Sequence, residues 1–283
     1  MISTRAQRLA AAALCAAALL GVASGAASAN QPRAHASVIG GRVATLQDWG
    51  FTAAVLTPNT LCSGVVLSPT KVLTAAHCLG SLRTMVVRTS STMAFSGGLA
   101  SGVAAAAVAP GFAHTFEDDL AVLTLTSPTT APPIRLADPA EDLTYTRPGA
   151  PLQVAGFGNR NPMVGRQKIG LLTAADVRVR RCPLPSWAIC DSGGSAGAVL
   201  RRFRGHIIKR KIKRSVCSGD SGGPLVARTP SGPRLIGTAE ASSGPPKPNP
   251  FFFVICGLKG FPSLHSRTAS FLSFIQGNLA PVP

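Results

Sequence analysis

Residues 217–224 read CSGDSGGP, and this stretch decides how the whole 283-residue chain is interpreted. It lies far downstream of TAAHC at 74–78 and of DDLAVL at 118–123. A serine hydroxyl is a poor nucleophile until a neighbouring base accepts its proton, and a histidine held by a carboxylate is such a base. The three stretches together predict a catalytic triad of serine, histidine and aspartate.

The order histidine, aspartate, serine with these spacings resembles the chymotrypsin and trypsin family of secreted serine proteases. The resemblance extends with gaps from about Val38 to about Ile275. The GDSGGP segment is fairly specific by itself, an aspartate before an apolar strand is not, and the order of all three raises the specificity. It implies a serine endopeptidase that acts on protein or peptide substrates without a metal or an organic cofactor.

Each triad position receives a role from this resemblance. Ser221 is the nucleophile, His77 the general base, and Asp119 the carboxylate that orients the imidazole. Asp118 is the alternative carboxylate, but the residues after Asp119 match the family's strand that follows its catalytic aspartate. The backbone amides of Gly219 and Ser221 form the predicted oxyanion hole. Taken singly, each residue has a structural explanation as a turn, a cap or a core histidine.

The first 29 residues predict a signal peptide. Arg5 and Arg8 precede an apolar run from Leu9 to about Val22, and Ala27-Ser28-Ala29 has the small-x-small form of a cleavage site. This run is shorter than the roughly 18 to 20 residues that a membrane span requires. We therefore expect a secreted, extracellular protein without a transmembrane anchor.

Residues 30–37 predict a short propeptide, because the following Val38-Ile39-Gly40-Gly41 resembles the family's mature amino terminus. The resemblance implies that the new ammonium of Val38 pairs with Asp220 and orders the oxyanion loop, so that cleavage acts as a switch. An ordinary Gly-Gly turn is the alternative. Ser37 is not the basic residue after which many activating proteases cut.

Seven cysteines are present, and Cys15 is expected to leave with the signal peptide. The six that remain in an exported chain predict disulfides rather than metal ligands, with fifteen possible pairings. None of them has the spacing of a metal site. The resemblance selects the pairs Cys62–Cys78, Cys182–Cys190 and Cys217–Cys256.

Short apolar segments separated by Pro, Gly, Ser and Thr predict strands at 53–56, 64–67, 85–87, 121–125 and 152–156. For the domain at 38–283 the resemblance implies an all-β fold of two six-stranded antiparallel β-barrels with the active site between them. The barrels are expected at about 38–137 and 152–261. Residues 268–279 predict a C-terminal helix with one apolar face.

Ser215 lies six residues before the nucleophile, where the family has the base of its substrate pocket. Since Ser215 is not a carboxylate, specificity for Arg or Lys is disfavoured, and an apolar side chain of medium or large size is expected. Val216 and Ser263 are expected to narrow the pocket. Where the family has a Ser-Trp-Gly strand, this chain reads Glu240-Ala241-Ser242-Ser243, and the alignment there can shift by one or two residues. Glu240 either faces the pocket and selects for charge or is solvated.

A basic insertion at about 191–214 departs from the family pattern. Residues 201–214 contain five arginines, three lysines and no acid, out of a formal net charge of +17. Such a run favours contact with a polyanion or an exposed flexible loop, and its only aromatic residue, Phe203, does not support base recognition. The alternative function is a catalytically silent protease-fold protein that holds an anionic partner with 201–214. The sequence carries no signal for the oligomeric state.

Overall fold

Segments of four to eleven residues, bounded by turn residues, form most of the strands in the computed structural model. The structure describes residues 38–112, 117–161, 169–182, 184, 186–203, 206–242, 256–257 and 262–279. Within these residues the strands are β1 (Arg42–Val43), β2 (Thr52–Leu56), β3 (Leu61–Ser68), β4 (Lys71–Thr74), β5 (Val86–Thr89), β6 (Leu99–Val108), β7 (Ala121–Leu125), β8 (Arg135–Leu136), β9 (Pro151–Gly156), β10 (Thr173–Arg180), β11 (Ala188–Gly193), β12 (Ser195–Phe203), β13 (His206–Lys213), β14 (Pro224–Thr229), β15 (Gly232–Ser242) and β16 (Ser263–Arg267). The α-helices are α1 (Leu46–Trp49), α2 (Pro139–Tyr145) and α3 (Leu272–Gly277).

The first barrel closes in the order β2-β3-β4-β7-β6-β5, with β5 pairing back to β2. Every pairing in it is antiparallel. Its interior is filled by buried β-branched and aliphatic residues such as Val55, Val66, Val72, Val87 and Leu123. This filling is what the alternation of side chains along each strand requires in a small barrel.

The second barrel contains β9, β10, β11, β16, β15 and β14, and pairing of β10 with β9 closes it. β1 and β8 are added to its strands β10 and β15. Two six-stranded antiparallel barrels therefore confirm the predicted fold class. The last strand of the second barrel, Ser263–Arg267, lies beyond the boundary expected at 261.

A single apolar cluster joins the two barrels. It contains Leu73 and Leu120 from the first barrel, and Phe157 and Val226 from the second. Ile275 of α3 is fully buried in the same cluster, so the predicted C-terminal helix packs against the barrels. Docking of the barrels through this cluster fixes the relative positions of residues that lie at their junction.

The crossover between the barrels is held by ion pairs to α2. Asp138 caps this helix in a capping box with Glu141. Arg234 Nε donates to Glu141 Oε1 at 2.7 Å, and Arg267 Nε donates to Asp142 Oδ2 at 2.9 Å. Both arginines come from strands of the second barrel, so the helix is tied to that barrel.

The basic insertion forms a β-hairpin. β12 and β13 pair antiparallel from Ser195↔Lys213 to Phe203↔His206. At the foot of the hairpin, Ile212 is buried in a small cluster with Ile39 and the Cys217–Cys256 disulfide. The insertion is therefore paired with itself and anchored to the barrel at its base.

The predicted signal peptide and propeptide, residues 1–29 and 30–37, lie outside the described residues. Among the helices that the structure does describe, none is long and apolar enough to cross a membrane.

Candidate active site

Strand pairing brings the histidine and aspartate segments together. β4 and β7 pair antiparallel with Thr74 opposite Ala121. His77 follows β4 in a 3-10 turn at Ala76–Cys78, and Asp119 precedes β7 by two residues. The end of one strand and the start of the other are side by side in an antiparallel pair, so the fold places both residues at one rim of the first barrel.

His77 and Asp119 are joined by two contacts. The distance from His77 Nδ1 to Asp119 Oδ2 is 2.5 Å, and the His77 amide donates to Asp119 Oδ1 at 2.8 Å. Asp119 is 3% exposed, whereas the His77 side chain is 40% exposed. An ionised carboxylate on Nδ1 requires a proton there and leaves Nε2 able to accept one. The hydrogen bond that His77 donates to Asp119 also raises the pKa of His77, against the opposing effect of burial.

Asp118 does not share this position. It is half-buried, and its carboxylate lies against Gly111. Of the two neighbouring aspartates, Asp119 is the one that contacts His77.

Ser221 comes from the second barrel, in the turn that precedes β14. Its carbonyl oxygen accepts from the Ser63 amide at 2.8 Å and lies 3.8 Å from the sulfur of Cys78, so it sits against the segment that carries His77. Its hydroxyl donates to the carbonyl oxygen of Glu240 at 3.3 Å. Within the described residues no hydrogen bond joins Ser221 to His77, so the hydroxyl must turn for proton transfer. Such bonds are often long or absent before substrate binds.

The turn before Ser221 depends on glycine. Gly219 has φ +96°, and a Cβ there would lie 2.7 Å from the Gly158 Cα. Both facts exclude a larger residue without strain. Across the part of the chain that the structure describes, the amides of Gly219 and Ser221 donate to no protein acceptor, as oxyanion donors require.

Asp220 lies fully buried beneath this turn. Its carboxylate accepts from the amides of Cys217 and Gly158, both at 2.8 Å. Burial raises the pKa of Asp220 to about 7, although the two amide bonds oppose the shift. Among the described residues no basic side chain pairs with it.

Val38, the predicted activation residue, is also fully buried. In the unprocessed chain its nitrogen is a peptide amide, and it donates to Thr173 Oγ1 at 2.7 Å. The next amide, that of Ile39, donates to the Ser215 carbonyl at 3.0 Å. The segment is thus seated in the second barrel without a pair between Val38 and Asp220.

Hydrogen bonds join the residues predicted to form the substrate pocket, Ser215, Val216 and Ser263. The hydroxyls of Ser215 and Ser263 are 3.0 Å apart, and the Ser215 hydroxyl donates to the Val216 carbonyl at 3.0 Å. All three residues are buried. The positions expected to form the base of the pocket are therefore neutral.

Behind this pair lies a buried aspartate–histidine contact that the sequence analysis missed. Asp191 is opposite Ser263 in the ladder between β11 and β16, and Asp191 Oδ2 is 2.5 Å from His265 Nε2. Both side chains are 0% exposed. Asp191 Oδ1 and His265 Nδ1 have no hydrogen-bond partner within the described residues. The available signal was one carboxylate in the otherwise apolar or small residues of β11, and one histidine in β16, which also contains Arg267.

Glu240 is partly buried and so is not the solvated carboxylate that was one of the two expectations. It sits at a bulge in β15, between Ala239 and Ala241, which re-aims its side chain relative to a regular strand. The carboxyl group accepts from Ser266 Oγ at 3.5 Å. Burial, followed by the charge of Asp119, raises the pKa of Glu240 to about 8, and the charge of His77 opposes this. The carboxyl group of Glu240 therefore interacts electrostatically with both His77 and Asp119.

The three disulfides join Cys62 to Cys78, Cys182 to Cys190 and Cys217 to Cys256, as the resemblance implied. Cys62 and Cys78 also lie close to His77, which brings together three residues of metal-ligating type. Both sulfurs are bonded to each other, so neither is a thiolate, which is the form that binds metal.

Comparison with known proteins agrees with this geometry. Residues 38–256 match the family model described as Trypsin. The chain is 30% identical over 245 residues to "Trypsin" of Saccharopolyspora erythraea, covering 84% of this chain and 96% of that protein. It is 23% identical to "Trypsin CFT-1" of Choristoneura fumiferana, covering 87% and 93%. It is 28% identical to "Serine protease 56" of Mus musculus, covering 90% of this chain but only 41% of that protein. The chain belongs to the trypsin family and is a serine endopeptidase.

Proposed function

We propose that this chain is a secreted endopeptidase that cleaves peptide bonds through an acyl-enzyme on Ser221. The observation that carries the proposal is the 2.5 Å contact between Asp119 and His77 Nδ1, with the carboxylate buried and the ring half-exposed. A carboxylate so placed fixes the tautomer in which Nε2 is the base, and it stabilises the imidazolium that forms during reaction.

The reaction uses four residues of the chain. His77 Nε2 takes the proton of the Ser221 hydroxyl as the oxygen attacks the scissile carbonyl carbon. The amides of Gly219 and Ser221 stabilise the oxyanion. His77 then gives its proton to the leaving amine, and the carbon–nitrogen bond breaks. Water attacks the resulting ester, its proton passes through His77 to Ser221, and the acid product leaves while Asp119 stays ionised throughout.

The proposed primary specificity is for apolar side chains. The hydroxyls of Ser215 and Ser263 bond to each other, which supports a neutral base of the pocket without a carboxylate to attract Arg or Lys. The nearby Asp191 carboxylate is fully buried and already paired with His265, so it does not offer a charge to substrate.

We also propose activation by removal of residues 1–37. Val38 and Asp220 are both fully buried in the second barrel, and the carboxyl group of Asp220 lacks a cation among the described residues. Cleavage before Val38 creates an ammonium, and its pairing with Asp220 would favour the ionised carboxylate. Export through the signal peptide supports extracellular action.

Labelling of the processed protein with a fluorophosphonate probe tests the proposal. We expect Ser221 to be labelled, Ser221→Ala to be unlabelled, and a panel of peptide substrates to show cleavage after apolar residues. Absent labelling in a sample that begins at Val38 would contradict the proposal. The catalytically silent binding protein would then become the better explanation of the fold.

A further inference from the structure

A cationic groove lies on the outer surface of the second barrel, at the foot of the β12–β13 hairpin. Its volume is about 940 Å³, and none of the triad residues lines it. The charged residues of its lining are Asp176, Arg178, Arg180, Arg181, Lys213, Arg214 and Arg228. Six cations thus share the groove with one carboxylate.

Strand periodicity places the arginines of β10 in this groove. The strand alternates exposed and buried residues from Asp176 onward, so that Val177 and Val179 face the barrel core. Asp176, Arg178 and Arg180 therefore face outward, because side chains alternate between the two faces of a strand. The fold forces these charges onto one surface.

The single carboxylate of the groove does not neutralise it. Asp176 accepts from Arg42 Nη1 at 3.1 Å and from Gln153 Nε2 at 2.7 Å. Of the six groove cations, none has a carboxylate partner in any ion pair that the described residues form. Within the described part of the chain, the hydrogen bond of the Arg178 side chain goes to a carbonyl, that of Gly149, at 2.8 Å. Asp176 and the nearby Asp48 offset only part of the positive charge of the groove.

The hairpin continues the positive surface beyond the groove. Lys209, Lys211 and Lys213 alternate along β13 and so share one face, while Ile212 between them is buried against Ile39. Lys209 and Lys211 are exposed, and Lys213 itself lines the groove. At about 3.3 Å per residue, these lysines span about 13 Å along the strand.

We propose that this surface binds a sulfated polysaccharide. We call Lys209, Lys211, Lys213, Arg214, Arg178 and Arg180 the cationic track. Charges repeated along a strand and a groove suit a linear polyanion, whose binding releases its counterions. Guanidinium groups pair two oxygens of a sulfate at once. None of the described residues that line the groove is aromatic, so they do not provide the base stacking that nucleic acids use.

Titration of the full chain with heparin fragments tests the track. Two variants each remove two charges from it: Arg178→Gln with Arg180→Gln in the groove, and Lys209→Gln with Lys211→Gln on the hairpin. The matched control is Arg83→Gln with Arg135→Gln, which removes two exposed charges elsewhere. We expect each track variant to bind about tenfold or more weakly, and the slope of log affinity against log salt to fall by about two. The control should change affinity by less than about threefold.

Three results would overturn the proposal. They are unchanged binding by both track variants, an equal loss in the control, and tighter binding of single-stranded DNA than of a heparin fragment of equal charge. The melting temperature of each variant reports folding. Because the track does not include the triad, fluorophosphonate labelling of the processed variants should be unchanged. Loss of heparin binding and loss of the proposed peptidase function are therefore separate outcomes.

Discussion

The hydroxyl of Ser221 donates a hydrogen bond to the backbone carbonyl of Glu240, whose side chain accompanies the His77–Asp119 pair. One residue of β15 thus contacts the nucleophile through its backbone and influences the base electrostatically through its carboxyl group. The bulge at Glu240 makes this possible, since it departs from the regular alternation of the strand.

Replacement of Glu240 should change how activity depends on pH. With a pKa of about 8, Glu240 is neutral at lower pH and becomes an anion as pH rises through that value. The new charge raises the pKa of His77 and stabilises its imidazolium, so kcat/KM of the processed protein should rise modestly above pH 8. Glu240→Gln should abolish this rise in kcat/KM above pH 8. Asp48→Asn, which removes an exposed carboxylate elsewhere, should retain it, and a retained rise in Glu240→Gln would refute the assignment.

Asp119→Asn should lower kcat by about 10⁴-fold, as loss of the orienting carboxylate does in related triads. In the parent enzyme the acid limb of kcat/KM should lie above pH 6.5, because Asp119 raises the pKa of His77 from that value. In the variant the residual activity should have its acid limb at lower pH. Asp118→Asn is the matched control, and we expect it to keep activity within severalfold. A larger loss in Asp118→Asn than in Asp119→Asn would reverse the assignment.

Asp220 should make the unprocessed chain less stable as pH rises. Its pKa is about 7 when folded, against 3.8 for an ordinary aspartate, so the unfolded chain releases this proton first. The free energy of unfolding should fall between about pH 4 and pH 7, by on the order of 4 kcal/mol from this group. Denaturant titrations of chains carrying Ser221→Ala, with and without Asp220→Asn, measure it. Identical pH slopes in the two chains would show that Asp220 is not the cause.

The Asp191–His265 pair should matter for stability when only one partner is removed. Asp191→Ala leaves a fully buried histidine without its partner, and we expect a loss of about 3–5 kcal/mol in the free energy of unfolding. Replacing both residues, with Asp191→Leu and His265→Phe, should cost less than the sum of the single changes. A double-mutant cycle in denaturant measures the coupling. Strict additivity would mean that the two side chains do not interact.

The triad could be predicted because short local motifs mark His77, Asp119 and Ser221. The two barrels were implied by the family resemblance that these motifs carry, and apolar runs by themselves predicted five of the strands that the structure describes. The position of Glu240 could not be predicted in the same way, since a single extra residue in a strand changes the face on which a side chain lies. Contact between Asp191 and His265 joins residues 74 positions apart, with no motif around either one. The hairpin could not be predicted, because the run of Arg and Lys hides the alternation of buried and exposed residues around Ile212.

The buried cluster that Ile39 and Ile212 share connects the amino-terminal segment to the hairpin. It therefore links processing before Val38 to ligand binding by the cationic track, which lies on the opposite face of β13. One face of β13 holds the amino-terminal segment, and the other presents lysines to solvent. If processing before Val38 shifts the hairpin, it changes the affinity of the cationic track for its ligand. By thermodynamic reciprocity the ligand must then favour the processed arrangement of the amino terminus by the same factor. An extracellular polyanion would in that case act as an effector of maturation as well as an anchor.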